Sequence, residues 1–553
     1  MAKRHLQTRL LSSLTKVFAD EDLRASTWRR ATCLRGEVFS FQLAYRTERL
    51  LRGLQVEVES DLKRHIEVRS VGLAPSELPG SNFDDDVLRT TPGLYPDPLV
   101  PLGERLPAPP GQWRSVWVTV RVPARIRAGR YDIELALTSD DGKRLGGGTF
   151  ALEILAATLP AQKLKHTSWF HTDCIATHYG VEVWCRRHWD LVDRFVRNAV
   201  DHGINMLLTP LFTPPLDTRV GGERPTVQLV EVRGSKERYS FDFKRLDRWV
   251  RMADAAGVRF FEMSHLFTQW GAAHCPKIVA HVNGGQRKIF GWKDNASGRR
   301  YRSFLDQFLP ALVNYIDRRG LRRRCFFHVS DEPHADHLES FAAAARLVHG
   351  HLQGFRFIDA LSNVEYYDRG LVRHPIPASD HIEAFVERGV PDLWTYYCVS
   401  QWNQVSNRFF CMPSARNRVL GAQLYRYDLA GFLHWGFNFW YTQFSTRAID
   451  PFRVTDAGGN FPSGDAFLVY PGPDGPLDSI RGEVFREALQ DQRALQLLQS
   501  RQGRVKTVKL LERGLDEPIT MTRYPRDADW LLRMRERCNR RIAACDGEGP
   551  PAG

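Results

Sequence analysis

The chain has 553 residues, 43% of them hydrophobic and 25% charged, which supplies apolar material for two or three folded domains and excludes wholesale disorder. Lys and Arg outnumber Asp and Glu by 77 to 64, but the basic residues are spread along the chain, so the charge of +13 does not outline a nucleic-acid footprint. The runs RRGLRRR (318–324) and RMRERCNRR (533–541) read as solvated faces.

In chain order, the N-terminal MAKRHLQTRLLSSLTKVFADED is basic and then mildly apolar, and LLSSL is too short for a signal core. Up to residue 162, short alternating segments such as VFSFQLAYR (38–46), RSVWVTVRVP (114–123) and RYDIELALTSDDG (130–142) predict a β-sandwich. A Pro-rich connection, TTPGLYPDPLVPLGERLPAPPG, favours ordered extended loop over helix.

From residue 163 to 500 the texture changes to apolar runs alternating with amphipathic segments, the pattern of repeated β-α units. Strands are predicted near 167–173, 204–210, 258–264, 325–332, 355–362, 392–398 and 431–440, with helices over 188–203, 243–257, 303–320 and 336–350. Seven strands with about as many helices suit a (β/α)8 TIM-like barrel with one irregular repeat. Helical sequence begins near Ser479, and residues 501–553 read as a C-terminal helical extension. No run of eighteen apolar residues could span a bilayer, and the nine cysteines form no CxxC pair, so free thiols and a cytoplasmic location are expected.

Catalytic groups of such a barrel sit where strands give way to loops. Polar and aromatic residues gather there: His171, Asp173, Thr209, Glu262, His265, Asp331, Glu332, Asn363, Glu365, Tyr396, Tyr397, Gln401, Trp402, Trp435, Asn438, Trp440 and Tyr441. Trp and Tyr beside carboxylates favour a carbohydrate pocket, because aromatic faces pack on the C–H faces of sugar rings while carboxylates bind hydroxyls.

The segment FFHVSDEPHADHLESF (326–341) places Asp331 and Glu332 side by side before Pro333. Neighbours on a regular strand point to opposite faces, so both can serve one site only at a strand end. Pro333 is expected to hold Glu332 extended and to open the following helix, and Asp331 could equally cap that helix. An ordinary retaining glycosidase needs its two carboxyls about 5 to 5.5 Å apart across the scissile bond, which adjacent residues serve poorly. Substrate-assisted hydrolysis suits them better: the sugar's 2-acetamido oxygen attacks C1, one carboxylate holds the acetamido N–H, and its neighbour protonates the leaving oxygen.

At these residues the chain resembles glycoside hydrolase family 123 and the related family known as domain of unknown function 4091. The resemblance runs through RGEVFSFQLAY (35–45), GLYPDPLVPL (93–102), HVSDEP (328–333), GFLHWGFNFW (431–440) and GDAFLVYPGPDGPLDSIRGEVFREALQD (464–491). It implies a β-sandwich followed by a β/α barrel, and retaining, substrate-assisted cleavage of a β-N-acetylhexosaminide, with N-acetylgalactosamine as the sugar. Asp331 would then orient the acetamido group and stabilise the oxazolinium, and Glu332 would act as general acid and then base. Candidates for the sugar pocket are Tyr396, Tyr397, Trp435, Asn438 and Trp440, with His171, Asp465 and Arg481. Asn438 could hydrogen-bond a hydroxyl or, equally, satisfy loop backbone.

No metal or other cofactor is expected. His334 and His337 lack a completing carboxylate, and His265, His274, Cys275 and His281 have no standard ligand interval. The Gly-rich, basic stretch 281–300 carries no phosphate-loop motif and reads as a long barrel loop near the substrate. No GxSxG element or catalytic-cysteine signature occurs. Two other functions fit the same residues: a glycosidase for sugars without the acetamido group, pairing Glu332 with Glu262 or Glu365, and a carbohydrate-binding barrel without turnover.

Overall fold

The computed structural model describes residues 6–235 and 237–547. Its N-terminal part is rich in sheet. Strands Leu6–Ser12, Val38–Thr47, Trp113–Arg121, Ile66–Ser76 and Gly93–Pro101 lie in that order in one antiparallel sheet. Arg30–Arg35, Arg144–Thr158, Gly129–Thr138 and Gln55–Glu59 form a second. Alternate side chains of the two sheets meet, so Leu43, Val116 and Val118 share a core with Ile133, Leu135, Phe150 and Leu152. The LLSSL segment begins inside the first strand, where Leu11 is fully buried.

The strand Trp113–Arg121 is buried on both faces. Its odd-numbered Trp117 packs with Leu495, Leu498 and Met534 of helices Ile480–Gln502 and Ala528–Gly547, so helix rather than water covers the outer face of this sheet. Burying that indole contributes about 3 kcal/mol. Two of the motifs quoted above meet at the same junction: Arg481 donates to both carboxylate oxygens of Asp97 at 2.9 Å, and Leu99 N–H donates to Asp478 O at 2.8 Å.

Eight parallel strands follow: Lys165–Ser168, Met206–Thr209, Phe260–Met263, Cys325–Phe327, Arg356–Ala360, His374–Ile376, Trp394–Tyr396 and Gly431–His434. Each pairs with its successor, the first pairs with the eighth, and the sixth and seventh meet through one parallel bridge, Ala378–Tyr396. The sheet is a nearly closed barrel. Seven of these strands are the expected ones. The one not expected is the sixth, His374–Ile376, which has three residues with Pro375 at its centre, too short to display a period in sequence.

Period two decides what fills the barrel. Met206, Leu208, Phe326, Ile358, Trp394 and Leu433 pack inside, while Leu207, Phe261, Phe327, Phe357 and Phe432 face the surrounding helices. Helices Arg186–Asp201, Lys244–Ala256, Arg299–Arg318 and Leu338–His349 cover the outside near the expected positions.

The stretch 281–300 lies in the long connection from strand Phe260–Met263 to helix Arg299–Arg318 and does not line the cavity described below; its first ten residues belong to a hairpin, Ile278–Val282 with Gly285–Phe290, in a separate four-stranded sheet. Asn283 and Gly284 both have positive φ, 51° and 81°, which makes the two-residue turn that an Asn-Gly pair favours. All nine cysteines are free, and among the described residues no helix is long and apolar enough to cross a membrane.

Candidate active site

The fourth barrel strand stops at Phe327, and the HVSDEP segment leaves it as an irregular extension held by its neighbours. Asp359 Oδ1 accepts the N–H groups of Val329 at 3.0 Å and Ser330 at 3.2 Å, and Ser330 Oγ donates to Thr268 O at 3.0 Å. Asp331 O accepts from Trp270 N–H, and Glu332 N–H donates to Ala360 O, both at 3.0 Å. These bonds pin Glu332 at φ 44°, in the left-handed region rather than the extended conformation that Pro333 led us to expect. For a residue with a Cβ that conformation costs about 1–2 kcal/mol. It also breaks the strand alternation, and both residues line one cavity. The helix begins only at Ala335, so Pro333 precedes its first turn and Asp331 does not cap it.

That cavity measures about 210 Å3. Its walls come from loops distant in sequence: Trp169, Asp217, Gln269, Trp270, Tyr396, Trp435 and Phe444 surround the two acids. Tyr396 OH donates to Glu332 Oε1 at 2.8 Å, and Trp270 meets Phe444 edge to face at 5.9 Å. Asp217, at φ 37°, accepts the Phe444 N–H at 3.0 Å through Oδ2. Burial pushes its carboxyl up to about 6.

Burial is also the main reason both Asp331 and Glu332 hold protons above the ordinary carboxylate range. For Asp331 the charge of Glu332 adds to it, and the neighbouring His328 opposes it. For Glu332 the Tyr396 hydroxyl favours the ionised form. Two such acids in one cavity titrate as a unit.

Beneath them lies a fully buried relay across three adjacent strands. His328 Nε2 sits 2.7 Å from Glu262 Oε1, and its Nδ1 is 3.5 Å from Asp359 Oδ1. Trp169 Nε1 donates to Glu262 Oε1 at 2.8 Å, and Thr167 Oγ1 donates to Oε2. Burial disfavours charge on His328, but Asp359 and Glu262 outweigh it and push the imidazole up to about 9. Glu262 is thus committed to this network and does not line the cavity; Glu365 pairs with Arg369 instead.

Among the described residues, one group that could hold a metal is His265, His328 and Asp359, whose donor atoms come within 4.8 Å of one another. The two imidazoles stack at 4.1 Å with 21° between their planes, so no single ion can lie in both ring planes. A second group, His202, Asp478 and Glu483, already carries the charges of Arg69 and Arg486. Neither fits a metal centre.

Of the other expected pocket residues, Tyr396 and Trp435 reach the cavity. Tyr397 does not, because the next residue along a strand points outward; it packs on Phe432 and His434. Trp440 is core, donating to Val469 O at 3.3 Å. Arg481 is spent on Asp97 and backbone carbonyls. His171, Asn438 and Asp465 lie behind Trp435. Asp465 Oδ2 accepts its indole N–H at 2.7 Å, and His171 Nε2 lies 3.0 Å from its carbonyl. Asn438 bonds the His171 backbone N–H and C=O at 2.8 and 3.0 Å, the loop-satisfying role. Asp217, Gln269, Trp270 and Phe444 were missed; each sits in a loop whose local sequence carries no periodic or motif signal.

The chain matches the family model for the catalytic domain of glycoside hydrolase 123 over residues 169–498. No curated protein matches it. Among solved structures it resembles a family 123 glycoside hydrolase from Clostridium perfringens, described for glycolipid glycan hydrolysis, with a TM-score of 0.77, 14% identity and 98% of each chain covered. That likeness shows a shared fold. Looser similarities are a Parabacteroides merdae β-glucuronidase, with a TM-score of 0.31, 10% identity and 87% of this chain against 52% of that one, and a Thermotoga petrophila endo-β-1,4-mannanase, at 0.34 and 13%, covering 60% and 76%.

Proposed function

The chain belongs to glycoside hydrolase family 123 and is a glycoside hydrolase, and from that premise we propose that it is a retaining β-N-acetylhexosaminidase, with N-acetylgalactosamine as the expected sugar, working by substrate-assisted catalysis. The single observation that carries this reading is that adjacent Asp331 and Glu332 line the same small cavity. A volume of about 210 Å3 lies below the usual range for ligand sites and suits one terminal sugar ring. Alongside it we read residues 1–162 as a β-sandwich, 163–500 as a TIM-like catalytic barrel and 501–553 as a helical extension, residues 1–5 and 548–553 of these spans lying outside the described residues.

In the first step the acetamido carbonyl oxygen attacks C1, the C1–O bond to the leaving group breaks, and Glu332 gives its proton to that oxygen. Asp331 accepts the acetamido N–H and balances the positive oxazolinium. Accepting that N–H favours ionised Asp331, and the negative charge so placed beside Glu332 favours its protonated, acid form. In the second step Glu332 takes a proton from water, the water oxygen bonds to C1, and the C1–O bond to the acetamido oxygen breaks, leaving the product with its original configuration. Trp435, Trp270 and Phe444 offer apolar faces to the sugar, and Asp217 and Gln269 offer hydroxyl partners.

The test is a panel of aryl β-glycosides, with a glycolipid glycan ending in N-acetylhexosamine as natural-type substrate. The 2-acetamido sugars should be cleaved and the plain hexosides should not. Asp331→Asn should remove most of that activity. Equal rates on the plain hexoside would remove the role of Asp331. A second reading is favoured by one observation, the third carboxylate in the cavity: Asp217 could serve as nucleophile or base with Glu332 as acid. Loss of activity in Asp217→Asn on plain hexosides, with Asp331→Asn still active, would select it.

A further inference from the structure

At the end of the barrel opposite Asp331 and Glu332, where the fifth and sixth strands begin, a second pocket of about 520 Å3 lies beside the C-terminus of helix Leu338–His349. Arg356, Arg373, His349 and His374 line it, and no acidic residue does. The basic run 318–324 leads into the neighbouring fourth strand, and its arginines are partly neutralised: Arg322 pairs with Asp317 at 2.7 Å and Arg324 with Asp254 at 2.5 Å. Among the described residues Arg356 and Arg373 have no such partner; the Arg356 guanidinium lies 5.5 Å over Phe326. His349 Nε2 is shielded from solvent and has no hydrogen-bond partner, while its ring stands edge-on to Phe357 at 4.3 Å.

Burial, then the nearby guanidinium of Arg373, holds His349 below the usual imidazole range. Burial acts likewise on His374, followed by Arg356, with Arg373 and Lys165 adding to it and Asp392 opposing. Asp392 is outside the lining. The helix C-terminus adds a partial negative charge of about half an electron, which two full guanidinium charges outweigh.

We infer that this pocket is an oxyanion site taking a phosphate or sulfate ester, with Arg356 and Arg373 gripping the anion, His374 donating to it, and Phe355 facing the carbon-bearing part. Planar guanidinium groups suit phosphate and sulfate oxygens, and an unpaired pair of them around an acid-free pocket has no structural partner to satisfy. The site is independent of the glycosidase reading, because it opens at the other end of the barrel.

The test uses the full chain at low ionic strength, titrated calorimetrically with inorganic phosphate, sulfate, a phosphorylated hexose and the same hexose unmodified. One saturable site is expected for the anions and none for the neutral sugar. The double variant Arg356→Ser/Arg373→Ser should weaken binding about tenfold or more, the loss expected for charge-assisted bonds. Both side chains are exposed, so folding is not at stake, and glycosidase activity should stay unchanged. Arg323→Ser, exposed on the same end but outside the lining, should bind as wild type. Tighter binding of the phosphorylated hexose than of phosphate would assign the ester; equal binding would assign the free oxyanion. No saturable binding, or an equal loss in Arg323→Ser, would overturn the inference.

Discussion

Two places in this molecule bury several carboxylates, and they treat them oppositely. At the junction between the N-terminal sheets and the C-terminal helices, every acid meets arginine: Arg418 grips Asp491 at 2.7 Å and Glu487 at 2.8 Å, Arg535 joins Asp491 to Glu37, and Arg69 and Arg486 hold Glu483. Burial there works against ionisation, but the arginines overcome it at Glu483 and Asp491, which stay below the ordinary carboxylate range. At the barrel mouth Asp331 and Glu332 have no arginine, and burial wins. Raised acids also occur at the junction: burial outweighs Arg418 at Glu487, which sits at about 7. Glu487 and Glu37, both raised, also line a cavity at the junction, so neither a raised carboxyl nor a cavity is enough; what sets the barrel-mouth pair apart is that no arginine stands beside it.

The largest way to sharpen this contrast is Glu332→Gln. Losing the general acid should lower kcat/KM on a poor leaving group by about 10^2- to 10^4-fold. The same change removes one of two crowded buried acids, so calorimetry should show the variant more stable by about 1 kcal/mol. A variant both inactive and less stable would contradict the picture of a mouth held in an unfavourable state for function.

At the junction the signs should reverse. Arg418→Ala strands Asp491 and Glu487 without their main cation, and should cost about 3–5 kcal/mol of stability. The pH profile of the protein that remains folded should match wild type, since no junction acid lines the barrel-mouth cavity. A shifted profile would mean that the two acid groups are coupled.

The smallest effect is a displacement rather than a loss. The working acid must be protonated, so activity should fall as pH rises through the raised titration of the pair, above the usual carboxylate range of about 4. Tyr396→Phe removes the hydroxyl that favours ionised Glu332. The alkaline limb of kcat/KM should therefore move to higher pH. Movement to lower pH would show that Tyr396 acts on the other member of the pair.

What could be read without coordinates was whatever is local. Alternation in VFSFQLAYR and the helical period of HWDLVDRFVRNAVDHG are properties of nine to sixteen consecutive residues, and both elements are present. The Asn283-Gly284 turn was equally legible, and reading 281–300 by composition instead of by that dipeptide hid the hairpin. The tandem acids were visible as a pair at a strand end, and so were their chemical possibilities. The conformation that lets both line one cavity was not: Pro333 argued for extended backbone, and hydrogen bonds from Trp270 and to Ala360 overrode it.

Tertiary structure alone decided the rest of the site. Tyr396 and Tyr397 are chemically equivalent neighbours, and only the inward or outward sense of the seventh strand separates a cavity wall from packing. Asp217, Trp270 and Phe444 converge from three loops more than fifty residues apart in sequence, so no window of sequence contains their relation. The amino-acid sequence by itself determined the elements, the family and the acid pair, because those follow from short-range periodicity and motif. The identity of the pocket walls, and which buried carboxylates remain free of arginine, depended on long-range packing, because burial and charge pairing act through space.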